Sequence, residues 1–167
     1  MPNSHINTSK IENILFYSQN CGNIFSENTG DKMTALRLSK NLTAKSIAEE
    51  IRVNVSTISR YENNQFTHER ADLELLKSYA VSCGENKYFL FDDYLLFREF
   101  KSEILNAYLA ENNITKTRLS QELTVSKTLV LSWFNKENRS PSHELWQTAF
   151  KDFTSLWIKE NLDSLKN

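Results

Sequence analysis

Apolar positions recur with helical spacing along most of this chain, and the tightest run lies between Leu42 and Gln65. Ile47, Ala48 and Ile51 fall on one face, Val53 marks a tight turn, and Ile58 and Tyr61 resume the face. Two helices this short bury little alone, so they must cross closely, with Ala48 at the nearest approach. Val55, Ser56, Thr57, Ser59, Arg60 and Asn63 are then left facing out. Upstream, Met33, Leu36 and Leu38 predict the apolar side of a helix ending near Lys40-Asn41. Thr43 is suited to cap a helix over 44–51 and Asn54 one over 55–63. Thr67 can cap a further short turn, and Leu73, Leu75, Leu76, Tyr79 and Ala80 predict a helix closed by Gly84. Near the N-terminus, Ser9 with Glu12 forms a capping-box pattern ahead of Ile11, Ile14 and Leu15, which predicts a short helix from about Lys10 to Gln19.

The same pattern returns 72 residues later. Sliding Ile114–Lys136 back by that interval puts Thr115 on Thr43, Leu119 on Ile47 and Ser120 on Ala48, then Leu123 on Ile51, Val125 on Val53, Val130 on Ile58 and Trp133 on Tyr61. Ile104, Leu105, Tyr108 and Leu109 predict a helix ahead of it within 100–112, and Ser140-Pro141 a start for one long aromatic-rich helix towards Leu165. The second copy is the more divergent, and its outer helix is apolar on several sides through Leu129, Leu131 and Phe134. Such a helix is expected either to pack against the first domain or a second subunit, or to keep its surface for a ligand. Between the copies, KYFLFDDYLLFREF is too aromatic for a flexible linker; it is expected to fix the two domains together or to form a homodimer interface. The expected organisation is an N-terminal extension over 1–28, a first domain over 29–86, an aromatic segment over 87–99 and a second domain over 100–167.

Composition narrows the class. Three glycines and two prolines in 167 residues favour an all-α protein. The net charge of −1 argues against a general nucleic-acid coat or a polybasic membrane binder, though a local basic face remains compatible with it. Cys21 and Cys83 have no paired spacing and read as reduced thiols, and His5, His68 and His143 are too scattered to suggest a metal site. No signal pattern and no membrane span is apparent, so a cytoplasmic protein is expected. No nucleophile–base set or glycine-rich phosphate loop stands out, so an enzyme is not expected, and no cofactor is called for.

The ordered set Gly30, Met33, Leu36, Arg37, Leu42-Thr43, Ile47-Ala48, Ile51, Val53, Ser56, Ile58-Ser59 and Glu62-Asn63, with the tail LELLKSYA, resembles the Cro/repressor-type (Xre family) helix-turn-helix DNA-binding proteins. The resemblance implies two tandem lambda-repressor-like helix-turn-helix domains, each of about five short helices, plus the short N-terminal helix. It implies a sequence-specific transcription regulator, most simply a repressor, whose partner is double-stranded operator DNA; it leaves room for a homodimer and calls for no membrane or small-molecule ligand. Thr43, Lys45, Asn63 and Asn64 would hold phosphates, while Val55, Ser56, Thr57, Ser59 and Arg60 would face base edges. In the second copy Lys116, Arg118, Lys127, Lys136 and Arg139 would serve phosphates, with Thr128 and Ser132 on the reading helix and Leu129 or Leu131 against thymine methyl groups. Glu62 is expected to be structural. The alternative is a protein-interaction module, an anti-repressor or inhibitor, on the same fold. Two positions depart from the family: Arg52 stands where glycine is usual, at a cost of about 1 kcal/mol if its φ is positive, and Ala44 replaces a phosphate-holding glutamine.

Overall fold

A computed structural model describes residues 28–135 and 139–165, with side chains through Asn161. The expected N-terminal helix, Cys21 and Lys136 lie outside the described residues. Ten α-helices and one 3-10 turn, His68–Arg70, account for the regular structure among those described, with no strand. The described chain divides into two compact units, one of residues 28–67 and 74–90, the other of 68–73 and 91–165.

The first unit holds α1 (Thr29–Ser39), α2 (Ala44–Glu50), α3 (Val55–Glu62) and nearly all of α4 (Leu73–Ser82). Both α1 and α2 pack on α3, and Met33, Ile47, Ala48, Ile58, Leu76, Tyr79 and Ala80 are almost wholly buried. Leu38 departs from expectation: it is 55% exposed. Two residues along a helix is a 200° rotation, so Leu38 cannot share a face with Leu36. A reciprocal capping box opens α2. Ser46 N–H donates to Thr43 Oγ1 at 3.0 Å, and Thr43 N–H donates to Ser46 Oγ at 3.1 Å. Asn54 occupies the N-cap position of α3, but its side chain makes no capping hydrogen bond, contrary to expectation. Between α2 and α3 the chain reverses through Arg52 at φ 61°, and Val53 N–H donates back to the Ala48 carbonyl at 2.9 Å. The left-handed residue in the turn is therefore an arginine, which bears the small strain that glycine would avoid.

The second unit comprises α5 (Asp93–Glu99), α6 (Lys101–Glu111), α7 (Lys116–Glu122), α8 (Lys127–Trp133), α9 (His143–Ala149) and α10 (Lys151–Leu165). Tyr94, Phe97, Ile104, Leu105, Leu119, Val130, Trp133, Trp146 and Phe150 form its core. Phe150 sits at the centre, stacked on Phe97 at 5.9 Å and edge-on to Tyr108 and Trp133 at 5.1 and 6.4 Å. Tyr94, Phe97 and Phe100, read from the sequence as a seam between domains, pack within this unit. The Tyr94 hydroxyl donates to the Pro141 carbonyl at 2.8 Å, and burial pushes its pKa up to about 12. The 3-10 turn joins this unit because Arg98 donates to the His68 and Ala71 carbonyls at 2.6 and 2.9 Å.

The single long C-terminal helix expected from the sequence is two helices, broken at Phe150 and started by a Ser142 cap. Thr154 stitches the break. Its hydroxyl donates to the Phe150 carbonyl at 2.7 Å and accepts from Trp146 Nε1 at 3.0 Å, so both buried polar side chains are satisfied.

Helix starts in the two units keep a constant interval: α1, α2 and α3 begin at 29, 44 and 55, and α6, α7 and α8 at 101, 116 and 127. Left-handed residues keep it too. Asn41 and Asn113 have φ of 56° and 49°, and Arg52 and Thr124 have 61° and 55°. Val125 N–H donates to the Ser120 carbonyl at 3.0 Å, as Val53 does to Ala48 at 2.9 Å.

Candidate nucleic-acid interface

Burying Ile58 completely turns the opposite side of α3 to solvent. Val55, Ser56, Ser59, Arg60 and Asn63 are exposed and Thr57 is half-buried. Tyr61 leans away from that stripe and stacks on Phe66 at 4.5 Å. The helix carries two charged side chains, and they have opposite fates. Arg60 is exposed and makes no ion pair among the described residues. Glu62 turns inward, where Arg37 Nε and Nη2 donate to its two oxygens, both at 2.7 Å. The Tyr79 hydroxyl stands 2.7 Å from Glu62 Oε1 and 2.9 Å from the Met33 carbonyl, with one proton to share between them. Burial works against the Glu62 charge, but the hydrogen bonds from Arg37 and Tyr79 outweigh it and hold the carboxyl below its usual range. The bond to Glu62 raises the Arg37 pKa against burial. Burial, aided by the neighbouring carboxylate, raises that of Tyr79. The only carboxylate on α3 is thus neutralised inside the fold, and the outer stripe carries a lone guanidinium.

Backbone proximity fixes where α3 ends. Asn64, at φ 56°, accepts the Gly30 N–H on Oδ1 at 2.8 Å and donates to Asp31 Oδ1 at 3.3 Å. A Cβ on Gly30 would lie 2.3 Å from the Tyr61 carbonyl oxygen and 2.5 Å from Asn64 Oδ1, so only glycine fits. Several residues read as phosphate holders are consequently engaged within the fold. Asn64 is clamped to α1, Asn63 Nδ2 donates to the Ser59 carbonyl at 2.8 Å, and the Thr43 hydroxyl is part of the cap. Lys45 is exposed and 3.8 Å from Glu49, a loose surface pair.

In the second unit α8 buries Val130 and Trp133 and leaves Lys127, Thr128, Leu129 and Leu131 exposed. The Ser132 hydroxyl donates to the Leu129 carbonyl at 2.6 Å. Lys116 places its ammonium 3.9 Å from the centre of the Phe134 ring, Arg118 pairs with Glu122 at 2.9 Å, and Arg139 is exposed.

Two features escaped the sequence reading: the Arg37–Glu62–Tyr79 cluster and the clamp between Gly30 and Asn64. Scarcity was the available signal for the second, since Gly30 is one of three glycines in the chain. Among the described residues no helix is long and apolar enough to cross a membrane, and no group of acidic, histidine or cysteine side chains is placed to hold a metal ion. No curated protein and no solved structure matches the chain. A family model described as helix-turn-helix matches residues 33–85, the segment from α1 through α4. Residues 33–85 therefore match the Xre/lambda-repressor type of helix-turn-helix.

Proposed function

We propose that this chain is a sequence-specific double-stranded DNA-binding transcription regulator, a repressor, that reads the major groove with α3. The observation that carries the reading is the exposed stripe on α3, where Arg60 has no ion-pair partner among the described residues while Glu62 is neutralised inside. A forked guanidinium can grip guanine O6 and N7 together, and such a pair discriminates against other bases by about 1–3 kcal/mol. Val55, Ser56, Thr57 and Ser59 are small enough to let the helix approach base edges. Lys45 supplies phosphate attraction without base preference, and Thr43, Asn63 and Asn64 support the surface chiefly by holding the helix ends.

The second unit is proposed as a divergent helix-turn-helix. Helix starts, left-handed residues and the turn hydrogen bond recur at the same interval, which supports that reading. Two reading helices on one chain would each address one half of a two-part site. Because α3 and α8 differ in sequence, the site need not be palindromic.

Binding of the full chain to genomic duplex fragments, followed across salt concentrations, tests the proposal. Arg60→Ala should relax preference at one base pair, whereas Lys45→Ala should weaken all sequences alike and reduce the salt slope by about 1. If neither substitution changes binding to the chain's own promoter fragment, the assignment fails.

A further inference from the structure

Resting on the reading of the second unit as a helix-turn-helix, we infer that α8 recognises thymine in its half-site through the C5-methyl group. Position on the helix comes first. Each residue turns the helix by about 100°, so opposite the buried Val130 and Trp133 the outward line runs through Thr128, with Leu131 on one side of it and the half-buried Ser132 on the other. Leu131 is 46% exposed beside that line, whereas Leu129, 43% exposed, stands 200° round the helix from Leu131, at the edge of the exposed side. In α3 the outward line runs through Ser56, with Ser59 on one side of it and Arg60 on the other. At corresponding places, therefore, α8 replaces a guanidinium with a hydroxyl and the Ser59 hydroxyl with leucine.

That exchange changes which bases can be read. The Ser132 proton is committed to the Leu129 carbonyl at 2.6 Å, so α8 has no forked donor for guanine at the place of Arg60. Leu131, beside the approach line, suits the one apolar group on the major-groove edge, the thymine methyl.

Charge points to the same occupant. Over 114–136 the chain has Lys116, Arg118, Lys127 and Lys136 against the single carboxylate Glu122, whereas over 42–65 Lys45, Arg52 and Arg60 are balanced by Glu49, Glu50 and Glu62. An apolar protein partner covering this surface would strip water from Lys127, which makes no ion pair among the described residues. A polyanion that also presents methyl groups satisfies both features.

The test uses the full chain and duplexes enriched by it from a random pool. Deoxyuridine then replaces thymidine in each half of the enriched site separately, which deletes the methyl group and leaves pairing intact. The expected result is a loss of about three- to tenfold in affinity when the half read by α8 is substituted. Uracil substitution should have no further effect on a Leu131→Ala variant. That side chain is exposed, and retention of the helical circular dichroism spectrum verifies that the variant folds. Lys127→Ala should flatten the salt dependence. Protection of one half-site only, indifference to uracil, or unchanged DNA binding by the leucine variant, as for a protein-docking surface, would overturn this inference while leaving α3 as the reader. Failure to enrich any duplex would overturn the proposed function along with it.

Discussion

Replacing Glu62 by alanine removes the hub of the first unit. The Arg37 guanidinium would keep only the Leu42 carbonyl, 3.1 Å away, and the Tyr79 hydroxyl only the Met33 carbonyl. The Arg37 and Glu62 side chains are 14% and 9% exposed, so little water can replace the lost partner. Removing one member of a buried ion pair costs about 3–5 kcal/mol, and the residual access to Arg37 favours the lower end, about 3 kcal/mol. A unit of roughly 60 residues has about 3–9 kcal/mol of stability in total, so this change brings it close to unfolding. Thermal unfolding followed by circular dichroism should begin about 12–24 °C lower, with faster amide exchange in α1, α3 and α4. A double-mutant cycle with Arg37→Met should return a coupling of roughly 0.5–3 kcal/mol. The pH dependence has a definite sign. Because the folded carboxyl titrates below its unfolded value, its contribution is full above about pH 4.3 and is lost as pH falls through the lowered value. Glu62→Gln should remove that acid-side loss. A destabilisation below about 0.5 kcal/mol, within the range of ordinary surface substitutions, with an unchanged acid limb, would refute the reasoning.

Three further outcomes are expected. Gly30→Ala forces its new Cβ against the Tyr61 carbonyl and Asn64, and should lower stability by about 1–3 kcal/mol in urea titration. Thr124→Gly should raise it by about 0.5–1 kcal/mol, because Thr124 has φ 55° and a β-branched residue is strained there; an unchanged midpoint would count against strain. His68 Nε2 stands 2.9 Å from Asp92 Oδ2, and that contact raises the imidazole pKa against the opposing effects of burial and Arg98, with Glu69 adding to the rise. The pair should therefore contribute fully below about pH 6.5 and lose its contribution as pH rises through the raised value; tryptophan fluorescence of His68→Gln should show that loss abolished.

Periodicity made the helix-turn-helix core legible, because Ile47, Ala48 and Ile58 must share one face whatever else the chain does. It also located the polar stripe of α3 and a turn at Val53, while Arg52 as the turn residue came from the family resemblance. Pairings between distant residues were not legible. Arg37 meets Glu62 across 25 positions and Gly30 meets Asn64 across 34, and no spacing rule connects such residues before the helices are packed. That is why Asn64 reads as a phosphate ligand in the sequence and as a clamp in the fold. The break at Phe150 was hidden for a related reason. No glycine or proline marks WQTAFKDF, and the interruption is stabilised by a threonine hydroxyl that bridges Phe150 and Trp146. The aromatic run after Lys87 showed its hydrophobicity plainly, but composition could not say which core it fills.

Enrichment of bound duplexes from a random pool, done in parallel with the wild-type chain and Arg60→Ala, is the most direct test of the account. The wild type should enrich one defined motif containing a guanine, and Arg60→Ala should enrich the same motif with that position degenerate. A pool that stays random, or a motif that Arg60→Ala reproduces unaltered, would contradict the central claim that α3 reads DNA.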